Sequence, residues 1–255
     1  LRGSLSGSFA VTVPFYIAAA VFMIASVVLV ILSGNGVGEY SLLVGAHSRG
    51  MIWGFAWLTV IGTVVTLLPT LSATAISPTA RARCTRALIV HCVGLSLAMA
   101  LYAVGLSRVA GVAQLLVVLA AVLVIQPVLA TVMGRSPRLT TATVAVIAGL
   151  LWMLALCAGD AISAAVGAYP RTITLVLLPA FLGAGLLQLV TGVLHHLLPI
   201  LTGARPDTTE RTGYARLLLI NLGGLLTLLG ATVAGLIMMG IGLAANVIAV
   251  GRAIY

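Results

Sequence analysis

Long apolar runs separated by short clusters of Arg, Pro, Gly and Ser make up most of this chain. About 20 consecutive apolar residues are needed for an α-helix to cross the hydrocarbon core of a bilayer. We therefore predict membrane helices at about 9–32, 48–71, 86–107, 110–133, 139–163, 172–201 and 214–236. The last apolar stretch, GIGLAANVIAVGRAIY, either prolongs the seventh helix or begins an eighth. The pattern predicts an all-α polytopic membrane protein with 7–8 transmembrane helices in one membrane domain, 1–255.

The sequence also repeats itself at a single offset of 130 positions. This shift superimposes Gly62 on Gly192 and Pro69 on Pro199, and it continues through the following loop and helix, where Arg81, Arg86, Gly94 and Gly105 match Arg211, Arg216, Gly224 and Gly235. One period holds four spans, an even number, so the two halves would run parallel, related by an axis along the membrane normal. We predict a 4+4 repeat with halves of about 1–133 and 134–255, and hence an eighth helix that starts near Gly240.

Composition agrees with the membrane prediction. Hydrophobic residues make up 62% of the chain and charged residues 7%, and the mean hydropathy is +1.25. A soluble globular domain carries about 25% charged residues. The net charge of +9 comes from arginines scattered over several loops, which argues for a lipid bilayer partner and against nucleic acid. The cysteines Cys84, Cys92 and Cys157 lack the spacing of a redox or haem-attachment motif.

Arginine distribution predicts the orientation, because cytoplasmic loops carry the excess of basic residues. Three loops on one side hold Arg81, Arg83, Arg86, Arg135, Arg138, Arg205, Arg211 and Arg216. The loops on the opposite side hold Arg49, Arg108 and Arg171, together with Glu39 and Asp160. We therefore expect a multi-pass protein of the cell membrane with a cytoplasmic amino terminus.

The sixth predicted helix carries the most conspicuous polar positions. Gln188, Thr191 and His195 are spaced by three and four residues, which places them on one helical face. Ionisable groups inside a membrane are by default candidates for function. Two other interpretations stay open for His195 and His196, namely solvation near the helix end at Pro199 and simple packing.

Depth selects which histidines could share a site. His91 follows Arg86 by five residues, about 8 Å at 1.5 Å per residue, so it should lie in the same cytoplasmic-side layer as His195 and His196. We expect Gln188, Gly192 and Asn221 to border this site. His47 starts the second predicted helix at the outer surface, as an interfacial histidine or a ligand of a separate outward-facing site.

Imidazole ligands suit haem iron, copper and zinc, and we expect no carboxylate inside the spans to attract harder ions. Haem b or copper is therefore the expected cofactor, with metal ligands drawn from His47, His91, His195 and His196. Glycines such as Gly192 would let a haem ring approach the backbone, or would only permit close helix packing.

Two stretches resemble a known family. GAHSRGMIWGFAWLTVIGTVVTLLPTL resembles the second-helix signature HLHLNLLGxxxLTxxGTLxTLLPT of membrane-embedded segments in actinobacterial copper-oxidase and copper nitrite-reductase-like proteins. LLQLVTGVLHHLLPILTGARP resembles their later segment AQVLLGALSYLLPVVLGGGP, with GLLWMLAL between the two. A more remote similarity is to the haem–copper oxidase catalytic subunit and the NnrS group. His47 matches the first histidine of the signature, whereas Arg49 replaces the second and Met51 the asparagine.

Three functions follow as hypotheses. The first is a membrane redox module that binds haem b or copper through histidines and passes electrons from quinol to an outward-facing copper oxidase or reductase or a respiratory complex. The second is a non-catalytic anchor or assembly subunit of such a complex. The third is a small transporter, which the position of the polar groups toward one side of the membrane disfavours.

Overall fold

A computed structural model describes residues 10–134, 140–203 and 210–252. These ranges are helical and contain no strand. We number the helices in chain order as α1 (Val13–Gly34), α2 (Tyr40–Leu71), α3 (Pro78–Ala103), α4 (Ser107–Met133), α5 (Thr141–Ala165), α6 (Pro170–Thr202), α7 (Glu210–Leu228) and α8 (Thr232–Arg252). Of these, all except α7 are long and apolar enough to cross a membrane, and α7 has a shorter apolar part, Thr212–Leu228. The multi-pass helical prediction is confirmed at this level.

Two helices begin earlier than the sequence pattern predicted. α2 starts at Tyr40 rather than at residue 48, and α3 starts at Pro78 rather than at residue 86. The α3 start has a clear cause, since the Ser77 hydroxyl accepts a hydrogen bond from the Ala80 amide at 3.3 Å and proline follows at the first helical position. The arginines at 81, 83 and 86 therefore lie in the first turns of a helix, not in a loop.

The eighth helix exists, but it begins at Thr232 and not near Gly240. α7 ends at Leu228, and Gly230 adopts a positive φ of 88° between the two helices. Glycine adopts this left-handed conformation without the steric cost that a Cβ would bring. The predicted seventh helix was too long because nothing in its hydrophobic pattern marks this turn.

α2 and α6 each contain one π-helical segment. In α2 it covers Gly50–Ala56, and in α6 it covers Phe181–Leu187. The amide after the first segment, that of Trp57, donates to the carbonyl of Ile52, five residues back instead of four. Such segments are rare and frequently mark functional sites.

The described chain forms two compact units. The first comprises residues up to Thr70, Thr74–Arg135 and Cys157–Thr174; the second comprises Leu71–Ala73, Ser136–Leu156 and Leu175 onward. α1 to α4 thus lie in the first unit, joined by the end of α5 and the start of α6. The rest of α5 and α6 lies with α7 and α8 in the second unit.

Candidate functional site

A buried ion pair lies in the first unit. Arg49 of α2 donates from Nη2 to Asp160 Oδ1 of α5 at 2.6 Å, and the two side chains are 1% and 5% exposed. Taking two charges out of water costs several kcal/mol per ion, so a buried pair persists only where further hydrogen bonds satisfy it. Both residues were expected in outward loops, and that expectation was wrong: each lies inside a helix.

Asp160 is the hub of a larger polar network. Its Oδ2 accepts from Trp53 Nε1 of α2 at 2.6 Å and from Gln114 Nε2 of α4 at 2.7 Å. The Tyr102 hydroxyl of α3 donates to Gln114 Oε1 at 3.3 Å. Both carboxylate oxygens are therefore hydrogen-bonded, and the network connects four helices of the first unit.

Arg49 has partners beyond Asp160, and only its Nε is buried without one. Its Nη1 lies within 3.3 Å of the carbonyl oxygens of Gly45 and Pro170 and of Thr174 Oγ1. The guanidinium carbon stands 4.5 Å from the centre of the Tyr102 ring, a cation–π arrangement that desolvation strengthens. These contacts compensate for burying the charge.

His91 is buried beside this network. Its side chain is 1% exposed, and Nε2 lies 3.0 Å from the Trp53 carbonyl oxygen. A carbonyl can only accept, so Nε2 carries the hydrogen and Nδ1 presents a lone pair. Nδ1 is buried without a hydrogen-bond partner. The Phe22 ring packs edge-on against the imidazole, with centroids 6.5 Å apart.

The position of His91 along its helix differs from the prediction. Because α3 begins at Pro78, His91 stands near the middle of the Pro78–Ala103 helix and not a few residues after its start. His91 belongs to the first unit, whereas His195 and His196 belong to the second. The shared site predicted for these histidines stays a prediction.

His47 is tethered in the same manner as His91. It is half-buried in α2, and its Nδ1 lies 2.9 Å from the Ser26 carbonyl oxygen of α1. The carbonyl fixes the hydrogen on Nδ1 and leaves the lone pair on Nε2. Two histidines of the first unit thus have one ring nitrogen held by the main chain of a neighbouring helix.

In the second unit, the side chains of Gln188 and Asn221 are hydrogen-bonded to each other. Asn221 Nδ2 donates to Gln188 Oε1 at 3.2 Å and to the Leu217 carbonyl at 2.7 Å. Trp152 Nε1 donates to Asn221 Oδ1 at 2.6 Å. Gln188 is fully buried. The amide groups are therefore engaged with one another and with Trp152.

Gly192 and His195 line a small cavity of the second unit together with Arg216 and Asn246. Its volume is about 10 Å3, room for roughly one water molecule and too little for a porphyrin. A Cβ at Gly192 would lie 2.7 Å from the Ala145 Cβ, so this glycine permits close packing of α5 and α6. His195 and His196 are half-buried.

No three His, Cys, Asp or Glu side chains among the described residues are grouped as a metal site. Haem brings four nitrogen donors of its own and asks the protein for one or two axial ligands. One or two histidines thus fit haem better than a bare ion that needs three or four protein ligands. The lone pair on His91 Nδ1 fits the need for such a ligand.

Sequence reasoning missed the Arg49–Asp160 network. One local signal was present, because Arg49 and Trp53 are four residues apart and share a helical face. Their pairing with Asp160, 111 positions away, had no local signal. No family model, curated protein or solved structure matches this chain.

Proposed function

We propose that this chain is a redox module of the cell membrane whose first unit holds haem b through histidine. The observation that carries the proposal is the buried His91, whose Nε2 is tied to the Trp53 carbonyl while Nδ1 has no partner. An orphaned polar atom in a membrane interior is costly, and a ligand would remove that cost. Haem, when bound, would supply one-electron transfer between quinol and an outward-facing oxidase or reductase.

The hydrogen bonds of the other ring nitrogens support this role. Metal-binding histidines almost always donate the other ring N–H to a carbonyl or carboxylate, which fixes the tautomer and orientation of the ring. His91 has this arrangement with Trp53, and His47 has it with Ser26. These two histidines are the proposed ligands, and copper is the alternative occupant.

The first unit also offers apolar space beside this region. A groove of about 620 Å3 lies between α1 and α3, within the usual size of small-molecule sites. Phe22, which contacts the His91 ring, lines this groove as well. The other lining residues include Ala18, Ala25, Cys92, Ser96 and Met99.

The 4+4 repeat is part of the proposal, and contacts within each unit support it at the offset of 130. Gly62 packs on Phe15 in the first unit, and Gly192 packs on Ala145 in the second. Likewise Phe22 meets His91, and Trp152 meets Asn221. The π-helical segments Gly50–Ala56 and Phe181–Leu187 stand at nearly the same offset. The likeness to copper-oxidase-type membrane segments and the cytoplasmic amino terminus belong to the same proposal.

Purified protein tests the function. We expect a reduced-minus-oxidised absorption spectrum typical of haem b and close to one iron per chain by elemental analysis. His91→Ala should lose most of the chromophore, and His47→Ala should lose it or shift its band. His196→Ala, in the second unit, is the matched control and should retain it. The proposal is overturned if His91→Ala and His47→Ala both retain the chromophore. It is also overturned if protein produced with ample iron, haem and copper contains neither metal.

One observation favours the anchor function as second candidate. The Arg49–Asp160 network is almost fully hydrogen-bonded by its own helices, which suits a rigid structural element. Metal-free wild-type protein that still copurifies with a respiratory or copper-enzyme complex would favour this function.

A further inference from the structure

We propose that Asp160 is a positioning residue that clamps the π-helical segment of α2 and thereby presents the Trp53 carbonyl to His91. The inference deepens the proposed function, because His91 is its ligand. The clamp itself involves only residues of the chain, so we expect it with or without bound haem or copper.

The clamp consists of two hydrogen bonds from α2 to the Asp160 carboxylate. Oδ1 accepts from Arg49, the residue directly before Gly50–Ala56, and Oδ2 accepts from Trp53 inside that segment, both at 2.6 Å. Both donors belong to a single turn of α2. A rigid anchor on α5 thus holds the two ends of the turn at which the helix widens.

The widened turn changes where the Trp53 carbonyl lies. In a regular α-helix the amide of residue 57 would donate to the carbonyl of residue 53. Here the Trp57 amide donates to Ile52 instead, and His91 Nε2 donates to the Trp53 carbonyl at 3.0 Å. Relaxation to a regular α-helix would bring this carbonyl into line with the Trp57 amide and move it relative to His91.

The second unit reaches the same helical form differently. Its segment Phe181–Leu187 follows Pro179, which has no amide hydrogen and disrupts regular helical bonding. At the offset of 130, Arg49 stands where the second half has Pro179. The first segment has no proline. The ion pair therefore stabilises the widened turn there, in the position at which proline disrupts the regular helix in the second.

Histidine-selective 15N NMR tests the clamp, since the chain has only four histidines. In the wild type we expect His91 to show a slowly exchanging proton on Nε2, because that nitrogen is buried and hydrogen-bonded. In Asp160→Ala this signal should move and exchange at least tenfold faster. Gln114→Leu is the matched control: it removes another donor to the same Oδ2 from α4 without touching α2, and should leave the signal unchanged.

Two further variants guard against misfolding of Asp160→Ala. Trp53→Phe and Arg49→Met each remove one of the two hydrogen bonds from α2 to Asp160, and each should perturb the His91 signal while a monodisperse elution profile is kept. If any folded variant that lacks one of these two hydrogen bonds keeps the wild-type shift and exchange rate of the His91 Nε2 proton, the clamp is overturned. If the variants perturb the His91 signal but the wild-type protein binds neither haem nor copper, the clamp is supported and the proposed function is overturned.

Discussion

At the scale of single residues, the first unit concentrates its polar side chains around one buried carboxylate. Asp160 binds Arg49, Trp53 and Gln114, and Trp53 in turn presents its carbonyl to His91. Each partner lowers the cost of the others, because in a low-dielectric interior hydrogen bonds are strong when made and expensive when missing.

Removing one charge of the Arg49–Asp160 pair should destabilise the protein more than removing both. Asp160→Leu leaves Arg49 as an unpaired buried cation, and we expect a loss of about 3–5 kcal/mol. The double variant Arg49→Met/Asp160→Leu should be more stable than Asp160→Leu alone, because no unpaired charge remains. Thermal unfolding in detergent, followed by size exclusion, measures this difference. Tyr40→Phe, at an exposed position of α2, is the control and should leave the midpoint unchanged. A double variant less stable than Asp160→Leu would refute the argument.

The polar residues show how far sequence reasoning reaches. The 3,4 spacing correctly predicted that Gln188 and Thr191 face inward, since both are buried. Arg49 and Asp160 were assigned to loops because the arginine count treated every charge as a loop residue. Helical spacing reports which residues share a face, but it carries no information about which distant helix will meet that face.

At the scale of helices, the hydrophobic runs located the first six spans, whereas the starts of α2 and α3 and the turn between α7 and α8 were misplaced. Arginine can lie within a membrane helix near its end, because its long stem packs on apolar surface while the guanidinium reaches toward water. The Ser77–Pro78 pair was the better boundary signal at α3. Turn glycines such as Gly230 gave no signal that distinguishes them from glycines inside helices.

Glycine contacts decide how α4 and α5 approach each other. A Cβ at Gly111 would lie 2.6 Å from the Ala161 carbonyl oxygen, whereas a Cβ at Gly159 has nothing within 4 Å. Backbone atoms cannot move aside as flexible side chains do. Small residues of this kind set helix separation in membranes.

We therefore expect opposite effects from the same substitution. Gly111→Ala should lower the unfolding midpoint in detergent, because α4 must separate from α5. Gly159→Ala should leave the midpoint unchanged or raise it, because alanine is up to roughly 1 kcal/mol more favourable than glycine inside a helix. Differential scanning fluorimetry of the two variants provides the measurement. Equal effects in both would mean that close packing at Gly111 does not stabilise the first unit.

At the scale of the whole molecule, orientation depends on basic residues that lie partly beyond what the structure describes. Arg135, Arg138 and Arg205 fall outside the described residues, as do Ser136 and its neighbours and the side chain of Arg211. Arg81 and Arg86 are exposed in the first turns of α3, next to the connection that follows α2. They still count toward the cytoplasmic side, because the bias extends about 15–20 residues beyond helix ends.

Two exposed connections test this orientation. Asn35 follows α1, and Ala75 lies between α2 and α3, so α2 separates them. With a cytoplasmic amino terminus, Asn35→Cys should react with a membrane-impermeant maleimide in intact cells, whereas Ala75→Cys should react only after lysis. The parent chain, with Cys84 and Cys157 buried and Cys92 half-buried, gives the background labelling. The reverse labelling pattern would mean that the amino terminus faces outward. The Arg49–Asp160 network would then lie toward the cytoplasm, and the argument for an outward-facing electron acceptor would be lost.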